Sequence, residues 1–251
     1  MIIDTHIHYG DSVRMNMKTS TVDLIQEMDK NGISKAICIH IEALLYSMES
    51  GNRKTLELMT AHPDRILGYC TIPSARLGTS VIPHIETCIK EYGMVGVKMY
   101  SVPYPGTDRV WIPFSVPSFY PVLAAVEALS VPLLVHASPE EVEKVASRFP
   151  NLNIIMAHSG NAPEMHGQWH RAVYAAKKYS NIYLDMCGST IDIDCLCFAL
   201  EELGPSRIIY GSDWPLFKFE FALARFRSLE LSSREEEQML SENAQRLFDI
   251  S

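Results

Sequence analysis

The chain has 251 residues, 47% of them hydrophobic and 21% charged, with a formal net charge of -8. That length suits one compact domain over residues 1–251, because barrels of about 250 residues routinely form a single core. The acidic balance, with neither a Lys/Arg run nor a basic helical face, argues against nucleic acid or an anionic membrane as partner and leaves small molecules.

Short β-branched apolar runs alternate with longer amphipathic segments at helical period along the whole chain. The first strand is expected at Met1–Thr5 and is followed by a helix over Thr21–Asn31. Strands at Lys35–His40, Ile66–Ile72 and Met94–Tyr100 then alternate with helices at Asn52–Ala61, Thr79–Tyr92 and Ser118–Leu129. Strands at Val131–His136, Asn153–Ala157, Asn181–Asp185 and Arg207–Gly211 precede helices at Pro139–Phe149, Glu164–Tyr179, Asp192–Leu203 and Glu220–Ser228. Several of these helices open on Ser, Thr, Asn or Asp caps. Ser233–Phe248 reads as an extra C-terminal helix. Eight strands in this order close an α/β barrel of the (β/α)8 TIM type. A doubly wound sheet would carry a glycine-rich turn after its first strand, where this chain has histidines. The long loop 102–121 follows strand four, and its Tyr104, Trp111, Phe114 and Phe119 are expected over the barrel mouth.

The six cysteines, Cys38, Cys70, Cys88, Cys187, Cys195 and Cys197, contain no CxxC pair and mostly lie in apolar stretches, as free thiols do in a reducing compartment. With no apolar run of about 18 residues and no basic leader, a cytoplasmic protein is expected.

The stretch Met1-Ile-Ile-Asp-Thr-His-Ile-His8 carries the main chemical signal. Residues i and i+2 of a strand leave the same face, about 6.5–7 Å apart along it, so His6 and His8 can converge on one metal ion. His136, His158 and Asp213 each stand at or just past the C-terminal end of an expected strand, the active face of a barrel. Those five side chains would gather at one mouth and offer imidazole and carboxylate of the kind that divalent metals accept.

The motifs Asp4-Thr-His-Ile-His8, Gly96-Val-Lys98, His136, Ala157-His-Ser-Gly160, Gly211-Ser-Asp-Trp-Pro215 and Glu242-Asn-Ala244 span almost the whole chain. As a set they resemble the amidohydrolase superfamily, specifically the amidohydrolase-related branch that contains both hydrolases and metal-dependent decarboxylases. The resemblance implies a distorted (β/α)8 barrel with His6, His8, His136 and Asp213 around one divalent ion, zinc first, with manganese or iron as alternatives. It also implies His158 as a further ligand or as the group that handles protons and substrate. The loop His158-Ser-Gly-Asn161 departs from the family's usual His-x-Gly-Gly.

Such a site suits metal-assisted attack of water on a small lactone, amide or similar carbonyl, with Asp213 as ligand and general base. The alternative is nonoxidative decarboxylation of a small unsaturated or aromatic acid, in which His158 or Asp213 assists protonation at carbon. A noncatalytic metal-binding protein stands third. Lys98, at the end of strand four, is read as binding a substrate carboxylate or pairing with Asp213 or another acid; carbamylated, it would bridge two metals.

Tyr100, Tyr104, Trp111 and Trp214 are the candidate substrate walls, Trp214 being also an ordinary packing residue. Asp185 fits equally a partner for a metal-bound histidine and a loop cap. His40 and Cys70 read as a hydrogen-bonded wall histidine and a buried thiol, His62 and His84 as surface or helix-end residues, and His166 with His170 as a solvated helix face. The oligomeric state is open, a homodimer being the commonest assembly.

Overall fold

The computed structural model describes residues 1–13, 16–73, 78–101, 112–160, 169–188 and 192–250. Its strands are β1 (Ile3–Tyr9), β2 (Lys35–His40), β3 (Ile66–Ile72), β4 (Gly96–Tyr100), β5 (Leu133–His136), β6 (Ile154–Met156), β7 (Ile182–Asp185) and β8 (Ile208–Ile209). Helices α1 (Thr21–Asn31), α2 (Ile41–Leu45), α3 (Met48–Ala61), α4 (Ile82–Lys90), α5 (Tyr120–Ala128), α6 (Pro139–Arg148), α7 (Trp169–Lys178), α8 (Ile193–Leu203), α9 (Phe219–Arg227), α10 (Ser233–Glu237) and α11 (Asn243–Phe248) connect or follow them. A π-helical turn, Gln238–Glu242, joins the last two, so the expected C-terminal helix is continuous but underwound in its middle. Capping boxes start α1 at Ser20, α6 at Ser138 and α10 at Ser232, each satisfying two orphan backbone donors.

The strands pair in parallel, each with its sequence neighbour, from β1 to β8. The remaining seam is closed by the segment after β8. Thr5 N donates to Tyr210 O at 3.1 Å, Asp213 N to His6 O at 2.8 Å and His8 N to Trp214 O at 2.6 Å. The result is a distorted (β/α)8 barrel. Its interior is filled by Ile3, Ile37, Ile39, Tyr69, Leu134, Ile155 and Ile209, and α11 adds Leu247 and Phe248. Phe248 meets Tyr69 edge to face with centroids 5.8 Å apart, a burial worth roughly 1.5–3 kcal/mol. Alternate strand residues, Ala36, Cys38, Cys70 and Val97 among them, pack outward in the layer between sheet and helices.

β1 runs four residues past the expected end, and its pairing with β2 shifts register between Asp4 and Ile7. That shift matters for the site. Strict alternation would put Ile3 and His6 on opposite faces, whereas a bulge lets Ile3 plug the interior while His6 and His8 both face the mouth.

The short α2 goes unannounced in the sequence because its apolar residues merge with the strand before it. Two loop aromatics also depart from expectation: Phe114 and Phe119 are buried in the sheet–helix core, not over the mouth. Tyr104, Trp111 and His166 lie outside the described residues. No described helix is long and apolar enough to cross a membrane.

Candidate active site

His6 and His8 leave β1 side by side, with ring centroids 5.2 Å apart. The Nδ1 of His6 is bonded to Asp185 Oδ2 at the end of β7, at 2.6 Å across the barrel. A carboxylate on Nδ1 fixes the tautomer and leaves the Nε2 lone pair facing the mouth. Burial, reinforced by the nearby Lys98 cation, holds His6 well below the ordinary imidazole range, so the ring is neutral. Burial likewise raises the Asp185 carboxyl.

Asp213 is placed by the seam. Its N–H is tied to His6 O, its carbonyl accepts from Leu216 and Phe217, and its backbone is left-handed at φ 64°, an arrangement that costs roughly 1–2 kcal/mol for a non-glycine residue. The outcome is a carboxylate aimed at β1, with Oδ1 3.2 Å from His8 Nε2 and 3.8 Å from His6 Nε2. Burial pushes this carboxyl up, but the contact with His8 and the surrounding imidazoles of His158 and His6 outweigh it, and the group is held at about 2.

Donor atoms of His6, His8 and Asp213 all lie within 4.8 Å of one another. Asp213 Oδ1 is buried and forms no aligned hydrogen bond despite its imidazole neighbours. A buried anionic lone pair beside two imidazoles fits a divalent cation, with the N, N, O donor set that zinc, manganese and iron accept.

His136, at the end of β5, stands next to this cluster without joining it. Its ring stacks on Tyr100 at 4.9 Å and meets His158 edge to face at 5.0 Å. His158 follows β6 on a left-handed turn, with φ of 51° at His158, 48° at Ser159 and 68° at Gly160. Consecutive left-handed residues are strained, and here they swing the imidazole over the mouth to 5.2 Å from His6. Lys98 is fully buried, with Nζ 3.2 Å from His6 Nε2 and 4.9 Å from the Tyr100 ring centroid. Burial lowers its ammonium to about 8, against the pull of Asp185. Among the described residues no carboxylate pairs with Nζ within 4.0 Å, so the expected pairing with Asp213 is not made.

Trp214 turns away from the mouth and stacks on Phe219. His40 caps α2 by accepting from Glu42 N, and His170 is exposed on α7.

The amidohydrolase family model matches residues 3–250. This chain belongs to the amidohydrolase family. It is an enzyme of that superfamily, and its described fold agrees with solved relatives. The chain is 24% identical over 243 residues to gamma-resorcylate decarboxylase of Polaromonas sp., covering 78% of this chain and 74% of the relative. It is 22% identical over 247 residues to 2-keto-4-carboxy-3-hexenedioate hydratase of Sphingobium sp., covering 78% and 70%. The structure of a dihydroxybenzoic acid decarboxylase from Polaromonas sp., with bound manganese and 2-nitroresorcinol, superposes with a TM-score of 0.78 at 18% identity, over 99% of this chain and 96% of that one.

One member of the amidohydrolase site carries no sequence motif. Cys187, two residues beyond β7, places Sγ 3.2 Å from His6 Nδ1, 3.1 Å from His158 Nδ1 and 3.0 Å from Asp185 Oδ2. Its position after a strand end was the available signal, and an apolar neighbourhood masked it. Burial, with Asp185 and Asp213 close by, pushes the thiol well up, so it is a neutral spacer between the two imidazoles.

Proposed function

We propose that this amidohydrolase is a metal-dependent nonoxidative decarboxylase of a small aromatic or unsaturated carboxylic acid, hydroxybenzoates being the first class to try. The observation that carries the reading is Lys98: a buried cation at the mouth, beside the Tyr100 ring, with no carboxylate paired to it among the described residues. A planar substrate acid supplies that missing anion, and Tyr100 with His136 offers it an aromatic wall. Similarity to gamma-resorcylate decarboxylase and to a manganese-bound dihydroxybenzoic acid decarboxylase supports this reading over the hydrolysis that the motif set ranks first. Of the metals the donor set suits, manganese gains weight over zinc and iron from the same relative.

Held by His6, His8 and Asp213, a divalent ion supplies Lewis acidity and neutralises charge on the bound substrate. The chain's own groups then divide the work. Lys98 and His158 orient the carboxylate. Asp213, ionised at neutral pH, takes a proton from an acidic substrate hydroxyl. When the bond between ring carbon and carboxylate breaks, its electron pair stays on that carbon, carbon dioxide leaves, and Asp213 returns the proton there.

Hydroxybenzoates and unsaturated diacids are incubated with manganese- or zinc-loaded enzyme in heavy water. The expected result is carbon dioxide in equal amount to the decarboxylated arene or alkene, carrying one deuterium at the vacated carbon. Hydrolysis or water addition without carbon dioxide would overturn the reading.

A further inference from the structure

A second cluster of donors sits behind the barrel wall, outside the chemistry of the mouth. Cys70 of β3 points into the sheet–helix layer, where it meets Cys88 and His84 of α4 and Asn52 of α3. His84 and Cys88 are spaced i, i+4 and so share a helix face. Donor atoms of Cys70, His84 and Cys88 lie within 4.8 Å of one another. We propose that these three residues form a second metal site, for a thiophilic divalent ion such as zinc, that pins α4 to β3.

The spacing fits the ion. With Zn–S of about 2.3 Å and Zn–N of about 2.0–2.1 Å, a sulfur and a nitrogen on one tetrahedron stand roughly 3.5–3.6 Å apart. Cys88 Sγ and His84 Nε2 are separated by 3.5 Å. Asn52 supplies the supporting shell. Its Oδ1 accepts from Thr71 N at 2.9 Å and its Nδ2 donates to Thr71 O at 3.1 Å, which fixes the direction of the amide. The same Nδ2 donates to His84 Nε2 at 2.9 Å, marking that nitrogen as the unprotonated one, the form that ligates. It also lies 3.8 Å from Cys70 Sγ, placed to donate to a thiolate once the ion takes the imidazole lone pair. Binding requires both sulfurs as thiolates and the imidazole unprotonated at Nε2. Hydrogen bonding with Cys70, and then with His84, already lowers the Cys88 thiol to about 6. His84 is only half-buried, so solvent reaches the edge of this cluster.

The test is cobalt substitution of the full chain. A thiolate-to-cobalt charge-transfer band in the near ultraviolet is expected, lost in Cys88→Ser and Cys70→Ser and retained in Cys187→Ser, whose thiol is at the mouth. Asp213→Asn should leave the band in place, so this site and the one at the mouth are read separately. His84→Gln, a milder half-exposed change, serves if the cysteine variants do not fold, and should lower bound cobalt by one ion per chain. A wild-type protein without the band overturns the proposal, as does a band that survives Cys88→Ser, one that depends on Cys187, or cobalt content unchanged in His84→Gln.

Discussion

Lys98 Nζ lies 3.2 Å from Nε2 of His6, the nitrogen left free by the bond between His6 Nδ1 and Asp185. The lysine therefore occupies the lone pair that a metal needs and, with its ammonium lowered only to about 8, is a like charge beside it at neutral pH. Lys98→Met should raise affinity for manganese or zinc by about tenfold, the ratio that roughly 1.4 kcal/mol of relieved repulsion and competition gives, while turnover collapses. Wild-type affinity should climb as the pH passes about 8, where Lys98 loses its proton, and the variant should lack that rise. Competition titrations against a metal buffer measure both. Weaker binding in the variant would instead make Lys98 a ligand, as its carbamylated form would be.

Asp185 acts on the metal through His6. Asp185→Asn keeps the shape but weakens a charge-assisted bond of 2.6 Å. Loss of such a partner lowers metal affinity by about 10–100-fold, to be read from metal titration with circular dichroism confirming the fold. Unchanged affinity would mean that His6 is oriented without it.

Asp213→Asn should lower kcat by about 10²–10⁴, the range for removal of a positioned proton-transfer group. The variant should also bind metal more weakly, since the carboxylate beside His8 is gone. Rates are to be compared at saturating metal, which separates the two effects.

How much of this was legible depended on whether a residue's partner lay nearby in sequence. Strand and helix periodicity is local, so β2 and β3 carry the same limits in sequence and structure. The His6–His8 pair is local too. Asp185 stayed undecided between two roles because its partner is 179 residues away. Cys187 and His84 looked ordinary for the same reason: His6 and His158 reach Cys187, and Asn52 and Cys70 reach the face of His84, only when the barrel closes and α4 packs on β3. The left-handed turn at His158 has no signature in residue types, since only Gly160 favours it. The register shift in β1 is equally silent, as a bulge is set by pairing with β2 and not by composition.

Asp4 provides a pH-dependent readout of the seam. Its Oδ1 accepts from His6 N at 3.0 Å and Ser212 N at 3.2 Å, while Oδ2 is buried without a partner. Burial outweighs both bonds and raises the carboxyl from 3.8 to about 7. With the folded value raised, the folded chain holds a proton that the unfolded chain gives up. Its stabilisation is full below about pH 3.8 and is lost as the pH rises through about 7. Asp4→Asn keeps the acceptor and cannot ionise. It should match wild type near pH 4 and exceed it by up to about 4 kcal/mol above pH 7. Urea melts of metal-free protein at the two pH values decide the matter, and parallel stability profiles would refute the shift.

Gly188 sets the position of His158. Its backbone is at φ +87°, and a Cβ built there comes 2.8 Å from His158 Nδ1. The glycine cannot easily retreat, because its carbonyl accepts from Arg225 Nη1 at 2.8 Å. Gly188→Ala must therefore displace the imidazole or strain the chain, at a cost of about 1–3 kcal/mol in stability. His6, His8 and Asp213 are held by β1 and the seam, so their metal affinity should change by less than about threefold, below 1 kcal/mol. If His158 orients the substrate, kcat/KM should nonetheless fall by at least about tenfold, the penalty that a small misplacement of a positioning group exacts. Retained kcat/KM alongside a lowered Tm would assign His158 a packing role, and loss of metal in step with activity would make it a ligand.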